Sequence, residues 1–69
     1  MDKVQRIIEM WHHINMVINL ASRYSMEFDD LMSKDQAYRL RDMIVELINM
    51  KEDVEKLAKE NNIDLRRNK

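Results

Sequence analysis

The chain has 69 residues, of which 45% are hydrophobic and 36% are charged, and its formal net charge is −1. This length allows one small domain, the hydrophobic content excludes a disordered chain, and the charge balance creates no global field that would attract nucleic acid or an anionic membrane. Because cysteine, glycine and proline are all absent, no disulfide or thiolate zinc site can form, and an all-helical fold is indicated.

The first helix is predicted at about residues 2–27. Asp2 can cap this helix, with Gln5 as the reciprocal partner of a capping box. Apolar residues then recur at steps of three and four, which places them in one stripe along a helix. The stripe consists of Val4, Ile7, Trp11, Ile14, Ile18, Ala21 and Phe28, with Ser25 in its one gap. A neighbouring row, Met10, Val17 and Tyr24, widens the stripe beyond what one facing helix can cover.

The connection between helices is predicted at about residues 28–33. When the first stripe is extended by the same steps, five of the next six positions are polar, which argues against one continuous helix. Ser33 and Gln36 form a second capping box where a new apolar pattern begins. The residues expected to close this end of the core are Phe28, Leu31 and Met32.

The second helix is predicted at about residues 34–61, with Asn61 or Asn62 as its left-handed cap. Its main stripe is predicted to be Leu40, Met43, Leu47, Met50, Val54 and Leu57, flanked by Ala37, Ile44, Ile48 and Ala58. Beyond the helix, Ile63 and Leu65 are expected to fold back on it. Residues 66–69 are expected to form a frayed basic end.

These patterns predict an all-α fold, an antiparallel two-helix hairpin that forms a single domain over residues 1–65. A hairpin of this size buries little apolar surface, so we expect it to dimerise into a four-helix bundle. The residues predicted to lie in the dimer interface are Met10, Trp11, Val17, Ile44 and Ile48.

The apolar surface left over predicts a small non-enzymatic protein–protein interaction module, such as a regulator, an inhibitor or an assembly chaperone. The predicted partners are a second copy of the chain and another protein. The seven methionines suit a surface that accepts varied partners, or they simply fill the core. We expect a cytoplasmic location, because no signal peptide opens the chain and cysteine is absent. The residues predicted to bind the other protein are Met16, Leu20, Tyr38 and Val45.

An alternative function is nucleic-acid binding by a hairpin dimer of Rop-like architecture. Its candidate residues are Arg39, Arg41, Arg66, Arg67 and Lys69. The acidic residues Asp35, Asp42 and Glu46 interrupt the first part of this set, and no helix-turn-helix pattern is present.

Catalytic and metal chemistry have little support in the sequence. Glu9 and His12 have the spacing of a Glu-x-x-His metal motif, but both are predicted to point away from the apolar stripe. His12 and His13 are adjacent, so their side chains diverge on a helix and cannot share one ion. We therefore predict no catalytic residue, no cofactor and no metal.

The connector Tyr24–Leu31 resembles that of the small two-helix aspartyl-phosphate phosphatases. Those proteins carry a Ser-Gln-Glu-Leu-Asp signature on the second helix, whereas residues 37–42 of this chain are Ala-Tyr-Arg-Leu-Arg-Asp. The resemblance implies a third function, the hydrolysis of an aspartyl phosphate, and the missing signature argues against it.

Overall fold

The computed structural model describes residues 2–65, which form two long helices joined by a short turn. Helix α1 spans Lys3–Glu27, a 3₁₀ turn spans Asp29–Leu31, and helix α2 spans Lys34–Glu60. The helices run antiparallel and give a hairpin 43 Å long, with extents of 20 and 19 Å across. The predicted helical hairpin is confirmed for this part of the chain. The predicted basic end at residues 66–69 lies outside the described residues.

Side-chain caps place the helix starts where the sequence predicts them. The Asp2 carboxylate accepts a hydrogen bond from the Val4 N–H at 3.4 Å. Before α2, the Ser33 hydroxyl accepts from the Gln36 N–H and the Gln36 side chain accepts from the Ser33 N–H, both at 3.1 Å. This capping box satisfies N–H groups that the first turn of α2 would otherwise leave without partners. It therefore begins α2 without the help of proline or glycine.

The end of α2 is closed by a left-handed residue. Asn62 has φ 58°, a conformation that asparagine tolerates better than most non-glycine residues. The Ile63 N–H then bonds the Ala58 carbonyl at 2.9 Å and the Asn62 N–H bonds the Lys59 carbonyl at 3.1 Å. This pair of bonds is a Schellman motif. It turns the chain so that Ile63 and Leu65 pack against the core, as predicted.

The register of α2 differs from the prediction. The buried and half-buried residues of α2 are Ala37, Leu40, Ile44, Leu47, Lys51, Val54, Leu57 and Ala58. Met43 and Met50, which we predicted in the main stripe, are exposed instead. The predicted flanks Ala37, Ile44 and Ala58 face α1, because the alanines allow close approach of the two helices. Lys51 completes the row, since its aliphatic stem can pack while its ammonium stays in water.

The fully buried side chains lie at one end of the hairpin. This end, where α1 begins and α2 ends, is called the open end. Ile7, Val54 and Ala58 form the buried cluster there, and partly buried apolar residues pack against it. These surrounding residues are Trp11, Leu57, Ile63 and Leu65.

The opposite end, around residues 28–33, is called the turn end and is covered less well than predicted. Phe28 and Leu31 are both exposed, Leu31 by 77%, so neither closes the core; Met32 is half-buried. The Phe28 ring packs instead on the Tyr24 ring, with centroids 5.2 Å apart.

Candidate interaction surfaces

A row of exposed apolar side chains runs along one side of the hairpin, and we call it the methionine face. It consists of Met10, Val17 and Tyr24 from α1 and Met43 and Met50 from α2, which are between 45% and 59% exposed. The α1 residues and the α2 residues of this face come together because, in each helix, they lie next to the residues that contact the other helix. The methionine face is therefore a product of both helices.

Two shallow depressions show that the rows from α1 and α2 are adjacent. One lies at the open half of the hairpin and the other near the turn. The first is lined by Met10, His13, Ile14, Val17, Met50, Asp53 and Val54. The second is lined by Tyr24, Met32, Gln36, Arg39, Leu40 and Met43. Apolar atoms thus form the floor of the methionine face, and charged side chains form part of its rim.

A second exposed apolar row, which we call the α2 strip, consists of Tyr38, Val45 and Ile48. Met50 follows Val45 by five positions, which places the two side chains about 140° apart around the helix. The α2 strip and the methionine face therefore belong to different sides of the molecule. Arg41 stands within the strip and lines a small groove with Lys34, Ala37 and Tyr38, so the strip has basic neighbours.

The four residues predicted to bind another protein do not form one surface. All four are exposed. Leu20 stands between Val17 and Tyr24 on the rim of the methionine face, and Met16 lies further round α1. Tyr38 and Val45 belong to the α2 strip. The four residues therefore lie on different sides of the hairpin, and their binding of another protein stays a prediction.

The five residues predicted for a dimer interface are also divided. Met10 and Val17 lie in the methionine face, and Ile48 lies in the α2 strip. Ile44 is half-buried between the helices. Trp11 is half-buried beside the core cluster, and its indole N–H donates to Glu55 Oε2 at 3.1 Å. Trp11 and Ile44 are thus already used within one hairpin.

The methionines at positions 43 and 50 are the surface residues that sequence reasoning missed. A signal for them was present. A regular row of contact positions at steps of three and four runs from Ala37 to Ala58, but it passes through Lys51. We predicted the more hydrophobic row as the contact row instead, and this prediction placed Met43 and Met50 inside the hairpin.

The groups considered for metal chemistry do not converge. Within residues 2–65, no cluster of three or more metal-ligating side chains is found. The His12 ring stacks edge-on against the Trp11 ring at 5.3 Å. His13 lies on the rim of the methionine face, opposite Asp53.

The arginines considered for nucleic acid are separated as well. Arg39 Nε pairs with Asp35 at 3.2 Å, and both side chains are largely exposed. Two residues further on, Arg41 lies about 160° away around the helix. These two cations therefore do not form one basic patch. Arg66, Arg67 and Lys69 lie outside the described residues.

Neither helix, over the described residues, has the long apolar stretch that crossing a membrane requires. Comparisons of this chain with protein families, with curated proteins and with solved structures found no match.

Proposed function

We propose that this protein is a non-enzymatic helical interaction module. Two hairpins pair through their methionine faces into a four-helix bundle, and the α2 strip remains outside to bind another protein. The observation that carries the proposal is the arrangement of exposed apolar side chains in two continuous helical rows. Single exposed apolar residues are ordinary on protein surfaces, whereas contiguous rows are typical of binding surfaces.

The methionine face suits self-association because it runs along the hairpin, with α1 on one side and α2 on the other. Pairing two such faces gives each helix a second antiparallel neighbour, which is the packing of a four-helix bundle. Thioether side chains adapt their shape, so a row of methionines fills an interface without strict shape requirements.

The α2 strip suits a different helical or grooved protein. Tyr38, Val45 and Ile48 follow the spacing with which one face of a helix enters a hydrophobic groove. The positive charges of Lys34 and Arg41 beside the strip favour a partner whose groove has an acidic edge.

Two matched variants test both parts of the proposal. Met50 and Val45 are each 51% exposed and lie on different sides of α2, so Met50→Glu and Val45→Glu introduce the same charge at equally accessible positions. We expect Met50→Glu to give the 8.4 kDa mass of one chain in light scattering, because a buried, unpaired carboxylate opposes pairing. We expect Val45→Glu to keep the dimer mass, to keep its helix content by circular dichroism, and to lose capture of the partner from a lysate of the source cells.

The results for Met50→Glu and Val45→Glu distinguish the role of the methionine face from that of the α2 strip. A Met50→Glu protein that still dimerises contradicts self-association through the methionine face, and Leu20→Glu on the α1 rim of this face provides a second test if Met50→Glu does not fold. A Val45→Glu protein that still captures the same partner contradicts the role of the α2 strip.

A further inference from the structure

We infer that the methionine face binds a second copy of this chain with the two-fold axis parallel to the helices. In this arrangement both turns lie at the same end of the bundle, and α1 of each copy packs against α2 of the other. The inference rests on the proposed self-association and adds its geometry, which the charges on the rim of the methionine face specify.

The size of the face and the small core favour a second copy as the occupant. The hairpin is 43 Å long, and the methionine face carries side chains along most of α1, from Met10 to Tyr24. Ile7, Val54 and Ala58 are the fully buried apolar residues among those described. A core of this size is marginal alone, and a second hairpin would cover the methionine face over its full length.

The hydrogen bond between Trp11 and Glu55 sets which residues of the two helices lie at the same level. Because the helices are antiparallel, a step forward from Trp11 corresponds to an equal step backward from Glu55. His13 and Asp53 obey this rule, and they line the same depression from opposite rims. A two-fold axis parallel to the helices preserves these levels between copies.

Exposed residues at seven-residue spacing form the two rims of the methionine face. The α1 rim consists of Arg6, His13, Leu20 and Glu27, and the α2 rim consists of Glu60, Asp53, Glu46 and Arg39, in order from the open end to the turn end. The first residue of the α1 rim lies at the level of the first residue of the α2 rim, and the same holds for the second, third and fourth residues. At the first and fourth levels the charges are opposite, at the second level His13 lies beside Asp53, and at the third level Leu20 lies beside Glu46.

When α1 packs against α2 of the other copy, these rims meet. Arg6 then faces the partner's Glu60, His13 faces the partner's Asp53, and Glu27 faces the partner's Arg39. Arg39 already pairs with Asp35 in its own chain, but a guanidinium has five N–H donors and can bond a second carboxylate. Each of these contacts occurs twice in the symmetric dimer.

The other closed arrangement has its two-fold axis perpendicular to the helices and places the turns at opposite ends. It packs each α2 against α2 of the other copy, so the rim that carries Glu46, Asp53 and Glu60 faces itself. Arg6 then faces the partner's Glu27 and Arg39 faces the partner's Glu60, but Asp53 faces the partner's Glu46 twice, which is unfavourable, and His13 faces the partner's Leu20 instead of an acid. The charge pattern therefore selects the arrangement with both turns together.

The apolar rows also match in the selected arrangement. Tyr24 stands near the level of Met43, and Val17 stands near the level of Met50. At these two levels an adaptable methionine from one copy lies beside Val17 or Tyr24 of the other copy, so its side chain can fill the contact.

A spin-label distance tests the geometry directly. The chain has no cysteine, so Asp30→Cys places one label in the exposed turn. Because packed helices lie about 8–10 Å apart, we expect an intermolecular distance within about 25 Å when the turns are together. Turns at opposite ends would lie about as far apart as the hairpin is long, 43 Å. Dilution with unlabelled protein must abolish the distance.

The outcomes distinguish the inference from the proposal beneath it. A short distance supports the inference. A distance near the hairpin length, with a dimer mass in light scattering, overturns the inference and leaves self-association intact. A monomer mass with no intermolecular distance overturns both.

Charge reversal on the rim provides an independent test. Arg6→Glu should weaken the dimer by about threefold to tenfold, because two exposed ion pairs of modest strength are lost. Adding Glu60→Arg to the Arg6→Glu variant should restore the affinity of the two copies for each other, whereas adding Glu27→Arg should not. Rescue by Glu27→Arg instead would indicate turns at opposite ends and would overturn the inference. Lys56→Glu, on the outer side of α2, is the matched control and should leave the affinity unchanged.

Discussion

The two ends of the hairpin are held in different ways. At the open end, Ile7, Val54 and Ala58 are buried and the segment after α2 folds over them. At the turn end, Phe28 and Leu31 are exposed, and the residues that contact the other helix, such as Ala37 and Leu40, are only half-buried. Burial of apolar surface therefore holds the open end, whereas the capping box at Ser33 and the ring contact of Tyr24 with Phe28 order the turn end. The difference shows that one short hairpin can combine a packed end with an end defined by local hydrogen bonds.

The largest effect that would test this comparison is expected from Ile7→Ala. Ile7 is 3% exposed, so removing its side chain leaves a cavity and should lower the free energy of unfolding by about 2–4 kcal/mol. The measurement is urea unfolding followed by circular dichroism at a fixed chain concentration. Leu31→Ala removes the same number of carbons at the turn end, where the side chain is exposed, and should cost below about 0.5 kcal/mol. Equal losses for the two variants would contradict the asymmetry of the ends.

An intermediate effect is expected from Ser33→Ala at the turn end. Loss of the capping hydroxyl should lower the free energy of unfolding by about 1 kcal/mol, measured in the same unfolding experiment. Ser25→Ala is the matched control, because Ser25 lies within α1, where alanine is the better helix former. We expect that control to be neutral or slightly stabilising. If both serine variants behave alike, the capping box does not hold the turn end.

The smallest effect is expected from Asn62 at the open end. Asn62→Gly should raise the melting temperature slightly, and Asn62→Ala should lower it, each by an amount equivalent to about 0.5–1 kcal/mol. The reason is the positive φ of this residue, which a Cβ atom disfavours. Unchanged melting temperatures in both variants would indicate that the Schellman motif contributes little to folding Ile63 and Leu65 onto the core.

The candidate surfaces could be predicted only in part. The sequence predicted excess apolar side chains on both helices, and Met10, Val17, Tyr38 and Val45 are indeed exposed. It did not predict how they divide between surfaces. The reason is that the position of a side chain on a hairpin depends on the rotation of each helix, and a shift of one residue in α2 moves a row by about 100°.

The sequence by itself determined the features that depend on local interactions. These are two helices and a turn, the capping box at Ser33 and Gln36, the left-handed cap in the Asn61–Asn62 pair, and the contact row of α1 from Ile7 to Ser25, whereas Val4 and Phe28 at the ends of the predicted row are exposed. Each follows from steric preference, from backbone hydrogen bonding within a few residues, or from one helical period. The tertiary structure alone decided the rotation of α2, because its contact row passes through Lys51, a charged residue that is half-buried. That rotation turned Met43 and Met50 outward, and with them it created the surface on which the proposed pairing depends.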